Sequence, residues 1–343
     1  MVELLFKLMN ALGPSGDEQL VRDIITSEIK KYVNEIYVDK FGNLVAHRKG
    51  IGEKIMLAAH MDEIGLMAKK IENNGFIRVS SIGGIEPITL VGQPVKVVGD
   101  KNKVICNGVI SFSELHEDLN IKTLPKMDEL YVDTGLNVNE LKLSGVEIGN
   151  YIVPLHHARY LGNNKIISGK SLDDRTGCYI LIELAKKLKN LHSKQDIYYV
   201  FTVQEEMGLY GAKTAVYHIA PDWGLAIDAT NARDSSISPS NIIGSGPFLT
   251  IKDSEMLGNK CLIDWIKKVA KINKIPLQLE VEDSGTTDAA SIMLAKGGIP
   301  SATIGIPVRN LHSTVGIAHV DDINNSIKLL SEFLKKPPKI CMV

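Results

Sequence analysis

Apolar residues recur every three to four positions over 17–33, where Leu20, Ile24, Ile25 and Ile29 fall on one face, and this period predicts an amphipathic helix. Residues 174–191, 259–273, 288–298 and 321–336 repeat the pattern, and several open on Asp or Asn as helix caps do. Between these segments lie short continuous apolar runs: KIMLAA (54–59), IYYVFTV (197–203), GLAI (224–227) and SATIGI (301–306). Apolar runs of that length without alternation are strands buried on both faces. Helices alternating with such strands predict an α/β fold, a mixed and mostly parallel sheet sandwiched by helices.

From 75 to 155 the pattern changes. GFIRVSS, QPVKVVG, KVICNGVISF, ELYVDTG and NYIVPL are separated by Gly and Asp and show little helical period, which predicts a small all-β unit. The expected division is a discontinuous main domain, 1–63 with 156–343, interrupted by a β-rich insertion over 64–155. Ile82, Ile85, Ile88 and Leu90 of the insertion are expected to be exposed and able to pair across a two-fold axis.

The polar residues gather where strands end. KIMLAAHMDEIG reaches His60 and Asp62, IYYVFTVQEE reaches Glu205 and Glu206, GLAIDAT reaches Asp228, and SATIGIPVRNLHS reaches His312. Asp173 and Asp174 stand at the start of the 174–191 helix. The C-terminal strand ends are where open α/β sheets build their sites. Taken singly, Asp228 reads as a turn or cap residue, the 173–174 pair as a helix cap and His312 as a surface histidine. Taken together, His60, Asp173, Glu206, Asp228 and His312 offer neutral imidazoles and carboxylates, the donors divalent cations take. Two cations sharing one carboxylate use all five. Asp62 shares a face with His60 and can bond its far ring nitrogen, the usual support of a ligating imidazole. His116, His156, His157 and His319 lack such partners and read as structural or exposed. The adjacent Glu205 and Glu206 then divide between holding a cation and handling a proton.

Composition narrows the function. The chain has 343 residues, with 39 Lys and Arg against 40 Asp and Glu, and this balance gives no electrostatic case for nucleic acid or an anionic membrane as partner. Four cysteines are scattered without a CxxC pair, the pattern of reduced thiols in a cytoplasm. No signal-peptide pattern opens the sequence and no apolar run spans a bilayer, so a cytoplasmic location is expected. Aromatic residues are 6% of the chain, little stacking surface for a glycan. No nucleophile elbow and no phosphate-cradling loop is present.

The motifs AAHMDEIG, GKSLDDRTG, VQEEMGLYGA, AIDAT and RNLHS, in this order, resemble those of the tetrahedral (TET) metallo-aminopeptidases. That family includes glutamyl and deblocking aminopeptidases and some proteins labelled endoglucanase. SSIGGIEPITLVGQPVKVV and GTTDAASIMLAKGGIP extend the resemblance over nearly the whole chain. The resemblance implies two divalent ions per subunit, zinc first, with cobalt or manganese as alternatives. His60 and Asp228 would hold one ion, Glu206 and His312 the other, and Asp173 would bridge them. Glu205 would be the general base and Asp62 the support of His60. A cis peptide at Asp173–Asp174 is implied too. HST stands where many relatives carry His-Ser-Pro, next to His312. The implied activity is removal of N-terminal residues from short peptides late in cytoplasmic protein degradation. The implied assembly is a homo-dodecamer built from dimers through the inserted domain. The rivals are an N-deacylase or carboxypeptidase on the same metal core, then an endoglucanase, then a binding protein without activity. Side-chain preference is expected to come from 240–257 and 283–288, where acidic and apolar residues mix.

Overall fold

The computed structural model describes residues 2–112, 124–189, 195–235 and 241–338. Four parallel strands form its centre, in the order Asp196–Thr202, Lys54–His60, Trp223–Asn231 and Ser301–Arg309. Ile55, Met56, Leu57 and Ala58 are fully buried, as a strand covered on both faces must be. Their side chains alternate between two cores. Ile55, Leu57 and Ala59 face the larger one, beneath the helices Glu3–Asn10, Gln19–Ile29, Leu172–Leu188, Lys260–Ile272 and Val320–Lys335. Met56 and Ala58 face a smaller one that includes Val216 of the helix Tyr210–Ile219 and Ile292 of Asp288–Met293.

Antiparallel strands extend the centre on both sides. The hairpin Glu35–Val38 and Leu44–Arg48 continues one edge. Gly316–His319, Asn163–Gly169 and Arg159–Leu161 continue the other. Phe248–Lys252 lies antiparallel on Ser301–Arg309 and carries Gln278–Val281. The sheet is thus mixed, and its parallel character belongs to the centre. The 288–298 helix stops at Met293, because Lys296, Gly297 and Gly298 all take positive φ.

The insertion is a closed antiparallel barrel of six strands, beginning at Gly65–Ile71 and ending at Tyr151–Pro154. Closure leaves no open edge. Leu66, Val95, Val97, Ile110, Val132 and Ile152 fill its interior. One expectation fails here: Ile85 and Leu90 belong to this core and Ile82 is also buried, so of the four apolar positions only Ile88 is exposed. Ile85 and Leu90 lie on the connection that follows Ile77–Ile82 and folds back over the barrel core, which the reading of the sequence as separate strands does not show.

Cys106 and Cys178 are free, whereas Cys261 is disulfide-bonded, so reduced thiols throughout do not hold. Nothing in the local spacing of Cys261 signals a bond. Among the described residues no helix is long and apolar enough to cross a membrane. His116 lies outside the described residues. His319 caps the Val320–Lys335 helix by accepting from the Asp321 amide.

Candidate metal centre

The central strands all run one way, so their C-terminal ends share one rim. His60 ends its strand, opposite Thr202 in the parallel ladder. Asp228 lies on Trp223–Asn231, the Glu205–Glu206 pair follows Thr202, and His312 follows Arg309. Asp173 arrives from the turn into Leu172–Leu188, and its peptide bond to Asp174 is cis.

A buried network anchors that turn. Glu63 takes Lys170 Nζ on both oxygens, at 2.6 and 2.5 Å, and also accepts from Ser171 Oγ and the Gly13 amide. Arg175, wholly buried, donates to the carbonyls of Met61 and Leu8 at 2.8 and 2.6 Å. The 170–175 turn is thereby tied to the end of the His60 strand and to the N-terminal helix.

Two donor groups result, and both use Asp173: His60, Asp173 and Asp228 form one, Asp173, Glu206 and His312 the other. His60 Nε2 lies 2.9 Å from Asp173 Oδ1 and 3.6 Å from Asp228 Oδ1. His312 Nε2 lies 3.3 Å from Asp173 Oδ2 and 3.5 Å from Glu206 Oε2. Asp173 therefore turns one oxygen to each histidine. Glu205 Oε2 stands 3.9 Å from His60 Nε2, so the two adjacent glutamates serve opposite sides of the site.

The backbone explains how neighbouring side chains come to share one site. Gln204 takes φ +53°, which ends the strand and aims successive amides inward as an anion-binding concavity. Asp62 fills it, accepting from the Glu205 amide at 3.0 Å and the Glu206 amide at 3.2 Å. Glu18 accepts from the Gln204 amide at 3.3 Å, and Ser15 Oγ donates to Asp62 at 2.6 Å. The Asp62 carboxylate is also 3.5 Å from His60 Nδ1, but the closer partner of that nitrogen is the Asp62 carbonyl, at 3.1 Å. Sequence reasoning found Asp62 and missed its hold on the two glutamates.

It also missed Gly84. His312 Nδ1 is 2.9 Å from the Gly84 carbonyl, on the turn that follows the barrel strand Ile77–Ile82. A proton donated there leaves the Nε2 lone pair facing Asp173 and Glu206. The local signal was the GG pair in SSIGGIEP, which permits close approach. A Cβ on Gly83 would sit 3.0 Å from Glu206 Oε2, and one on Gly84 3.0 Å from His312 Nδ1.

The charge balance shows what the group can hold. Burial, with Asp173 beside it, pushes Glu206 up to about 8, and burial pushes Asp228 to about 6. Glu205 is driven well above the usual carboxylate range, by burial first. Burial opposes charge on His312, yet Asp173 and Glu206 outweigh it and push the ring to about 9. His60 rises well above its ordinary value in the same way, with Glu205 the leading counter-charge. Asp173 moves oppositely: burial disfavours its ionisation, but hydrogen bonds from His312 and His60 hold it well below the usual range. Four carboxylates around two imidazoles, Glu205 and Asp228 buried and Asp173 and Glu206 half-buried, are short of positive charge, and the donor set fits divalent cations. The group opens into a cleft of about 760 Å³.

Comparison with known proteins places the chain in a family. A relative from Acetivibrio thermocellus is 43% identical over 334 residues, 97% of this chain and 98% of its own. The lysyl aminopeptidase of Pyrococcus furiosus is 34% identical over 97% of this chain and 96% of that one. The TET1 peptidase of Pyrococcus horikoshii, which can assemble into a tetrahedron or a large octahedral shell, superposes with a TM-score of 0.87. It is 32% identical, over 97% of this chain and 98% of that one. Fold and relatives together define an aminopeptidase, a hydrolase of the TET type. The sequence matches the M42 glutamyl aminopeptidase family over residues 42–329, and the chain belongs to that family.

Proposed function

We propose that this chain is a metal-dependent aminopeptidase that removes N-terminal residues from short peptides. The observation that carries it is Asp173, with one oxygen in each of two donor groups at the rim of a deep cleft. His60 and Asp228 would hold one divalent ion and Glu206 and His312 the other, with Asp173 available to both; zinc suits this donor set, as do cobalt and manganese. Such a pair supplies Lewis acidity to the scissile carbonyl and lowers the pKa of a water. Glu205 takes the proton of the attacking water and passes it to the departing amine, which must leave protonated. Asp62 positions Glu205 and Glu206 through their amides and supports His60.

The proposed assembly is a homo-dodecamer of dimers, with the 64–155 insertion making the dimer contacts and the sites facing an inner chamber; the likeness to TET1, solved as a dodecamer and able to form a tetrahedron, supports the large assembly. A cytoplasmic place late in protein degradation fits a site that takes short peptides. The near-balance of charge gives no electrostatic case for nucleic acid or an anionic membrane as partner.

A panel of aminoacyl chromogenic amides, with and without chelator, tests the reading. Free-amino substrates are expected to turn over, to stop with chelation and to recover with added zinc or cobalt. Turnover confined to N-acylated, C-terminal or glycan substrates would assign the site to an N-deacylase, a carboxypeptidase or an endoglucanase instead.

Gly84→Ala gives a second expected result. The added methyl displaces the His312 ring, and affinity for one of two ions should fall about 10–100-fold, the usual cost of disturbing a ligand's support. Calorimetric titration with zinc reads it. Wild-type affinity at both sites would show that the ring holds its place against the methyl and that the close approach at Gly84 is not needed for ion binding.

A further inference from the structure

Asn43 precedes the strand Leu44–Arg48, whose ladder with Asp196–Thr202 sets Leu44 opposite Phe201. It therefore lies beside the point where the chain leaves its strand for Glu205 and Glu206. The side chain is wholly buried. Its Oδ1 accepts from the Val203 amide at 3.1 Å, and its Nδ2 lies 3.0 Å from the Gly211 carbonyl. Nδ2 also reaches Asp39 Oδ2 at 2.7 Å and Thr214 Oγ1 at 3.0 Å. The Val203 amide needs an acceptor and the Gly211 carbonyl a donor, so only one orientation of the side-chain amide satisfies both.

Val203 and Gly211 are the two ends of the loop that carries the adjacent glutamates. The Gly211 amide donates to the Val203 carbonyl at 3.0 Å. Asn43 spans the same neck from the Val203 amide to the Gly211 carbonyl, much as the peptide of a further strand would. No room is left over: a Cβ on Gly211 would lie 2.4 Å from Asn43 Oδ1 and 2.4 Å from the Val203 oxygen. Asp39 steadies the clasp, since its other oxygen accepts from the amides of Phe41, Gly42 and Asn43, each at 2.9 Å.

The loop needs holding. Gln204 and Leu209 take φ +53° and +58°, left-handed positions that non-glycine residues keep only where their surroundings dictate them. With Glu18 on the Gln204 amide and Asp62 on those of Glu205 and Glu206, consecutive amides from Val203 to Glu206 all end on side chains of other segments. The Glu205 carboxyl stands 3.9 Å from His60 Nε2, beyond a hydrogen bond, so that ring does not fix it and its aim depends on the loop backbone. Asn43 lines no part of the cleft and belongs to neither donor group, so its only route to the chemistry is this loop.

We propose that Asn43 is a positioning residue for the general base: by clasping both ends of the 203–211 loop it sets where Glu205 points. The proposal rests on the aminopeptidase reading and on Glu205 as its base. Alanine at 43 removes the clasp. Aspartate keeps the shape and the acceptor, but sets a carboxylate against the Gly211 carbonyl and the Asp39 carboxylate.

The test is a double-mutant cycle at saturating zinc on aminoacyl amides: wild type, Asn43→Ala, Glu205→Gln and the pair, each checked by thermal melt and zinc content. Asn43→Ala should lower kcat about 10–100-fold with KM little changed, because displacing a reacting group by about 1 Å costs that much. In the Glu205→Gln background the same change should cost less than about threefold, since no base is left to misplace. A general loosening of the fold takes the same share of activity from both backgrounds. Equal losses would therefore overturn the proposal, as would wild-type kcat in Asn43→Ala. Asn43→Asp should lose kcat in the same pattern, and it takes the place of the alanine variant if that one does not fold. Failure of both to fold would overturn the proposal and assign Asn43 to stability alone. A Glu205→Gln enzyme as active as the wild type would overturn the proposal and the base assignment beneath it. A wild type inert on every aminoacyl amide would overturn the aminopeptidase reading as well.

Discussion

Glu205→Gln is expected to lower kcat by about 10²–10⁴-fold, the usual worth of a positioned acid–base group, with metal uptake as in the wild type. Glu205 is 9% exposed and belongs to neither group of candidate ligands, yet it stands on the His60 side of the centre. Glutamine keeps the size and the backbone bond from the Glu205 amide to Asp62, so the turn stays folded. It cannot accept and return a proton. Glu206→Gln is the informative partner, because its oxygen lies 3.5 Å from His312 Nε2, and its first effect should be on ion affinity. Elemental analysis of both variants beside single-turnover rates separates the roles. A Glu205→Gln enzyme within a few-fold of wild-type kcat would remove Glu205 as the base.

Asp173→Ala should be at least as damaging, by another route. Both donor groups use this carboxylate, so its loss weakens both ions at once and brings His60 and His312 together without their common acceptor. Affinity is expected to fall by more than the roughly 10–100-fold that a disturbed outer partner costs. Activity at stoichiometric zinc should be lost. Equilibrium dialysis checks the first point, and a thermal melt shows whether the chain is folded. Two ions bound at wild-type affinity would mean that Asp173 is not shared.

The central strands were legible because each is a continuous apolar run, and their order along the chain placed His60, Glu206, Asp228 and His312 on one rim. The antiparallel flanks were less so, since Leu44–Arg48 is short and Asn163–Gly169 is polar at its outer end. Glu3–Asn10 and Tyr210–Ile219 went unseen because two or three turns give too few repeats of the helical period. The supporting contacts were hidden for a different reason. Glu18 meets the Gln204 amide across 186 positions, and Gly84 meets His312 across 228. Backbone amides and carbonyls carry no residue type, so the glycine pair at 83–84 marks only that something approaches closely and not which side chain it holds.

The Gly84–His312 contact bears on how such a chain can be taken apart. A barrel spliced into a sheet invites exchange for another module, or replacement by a short linker. Here the graft boundary does not coincide with the catalytic boundary, because a loop of the guest supplies one hydrogen bond to the host's histidine. A chimera that trades 64–155 wholesale loses that bond along with any surface for self-association. One that keeps the Ile82–Glu86 turn and replaces the rest separates the two losses, and only such a chimera reports on assembly alone.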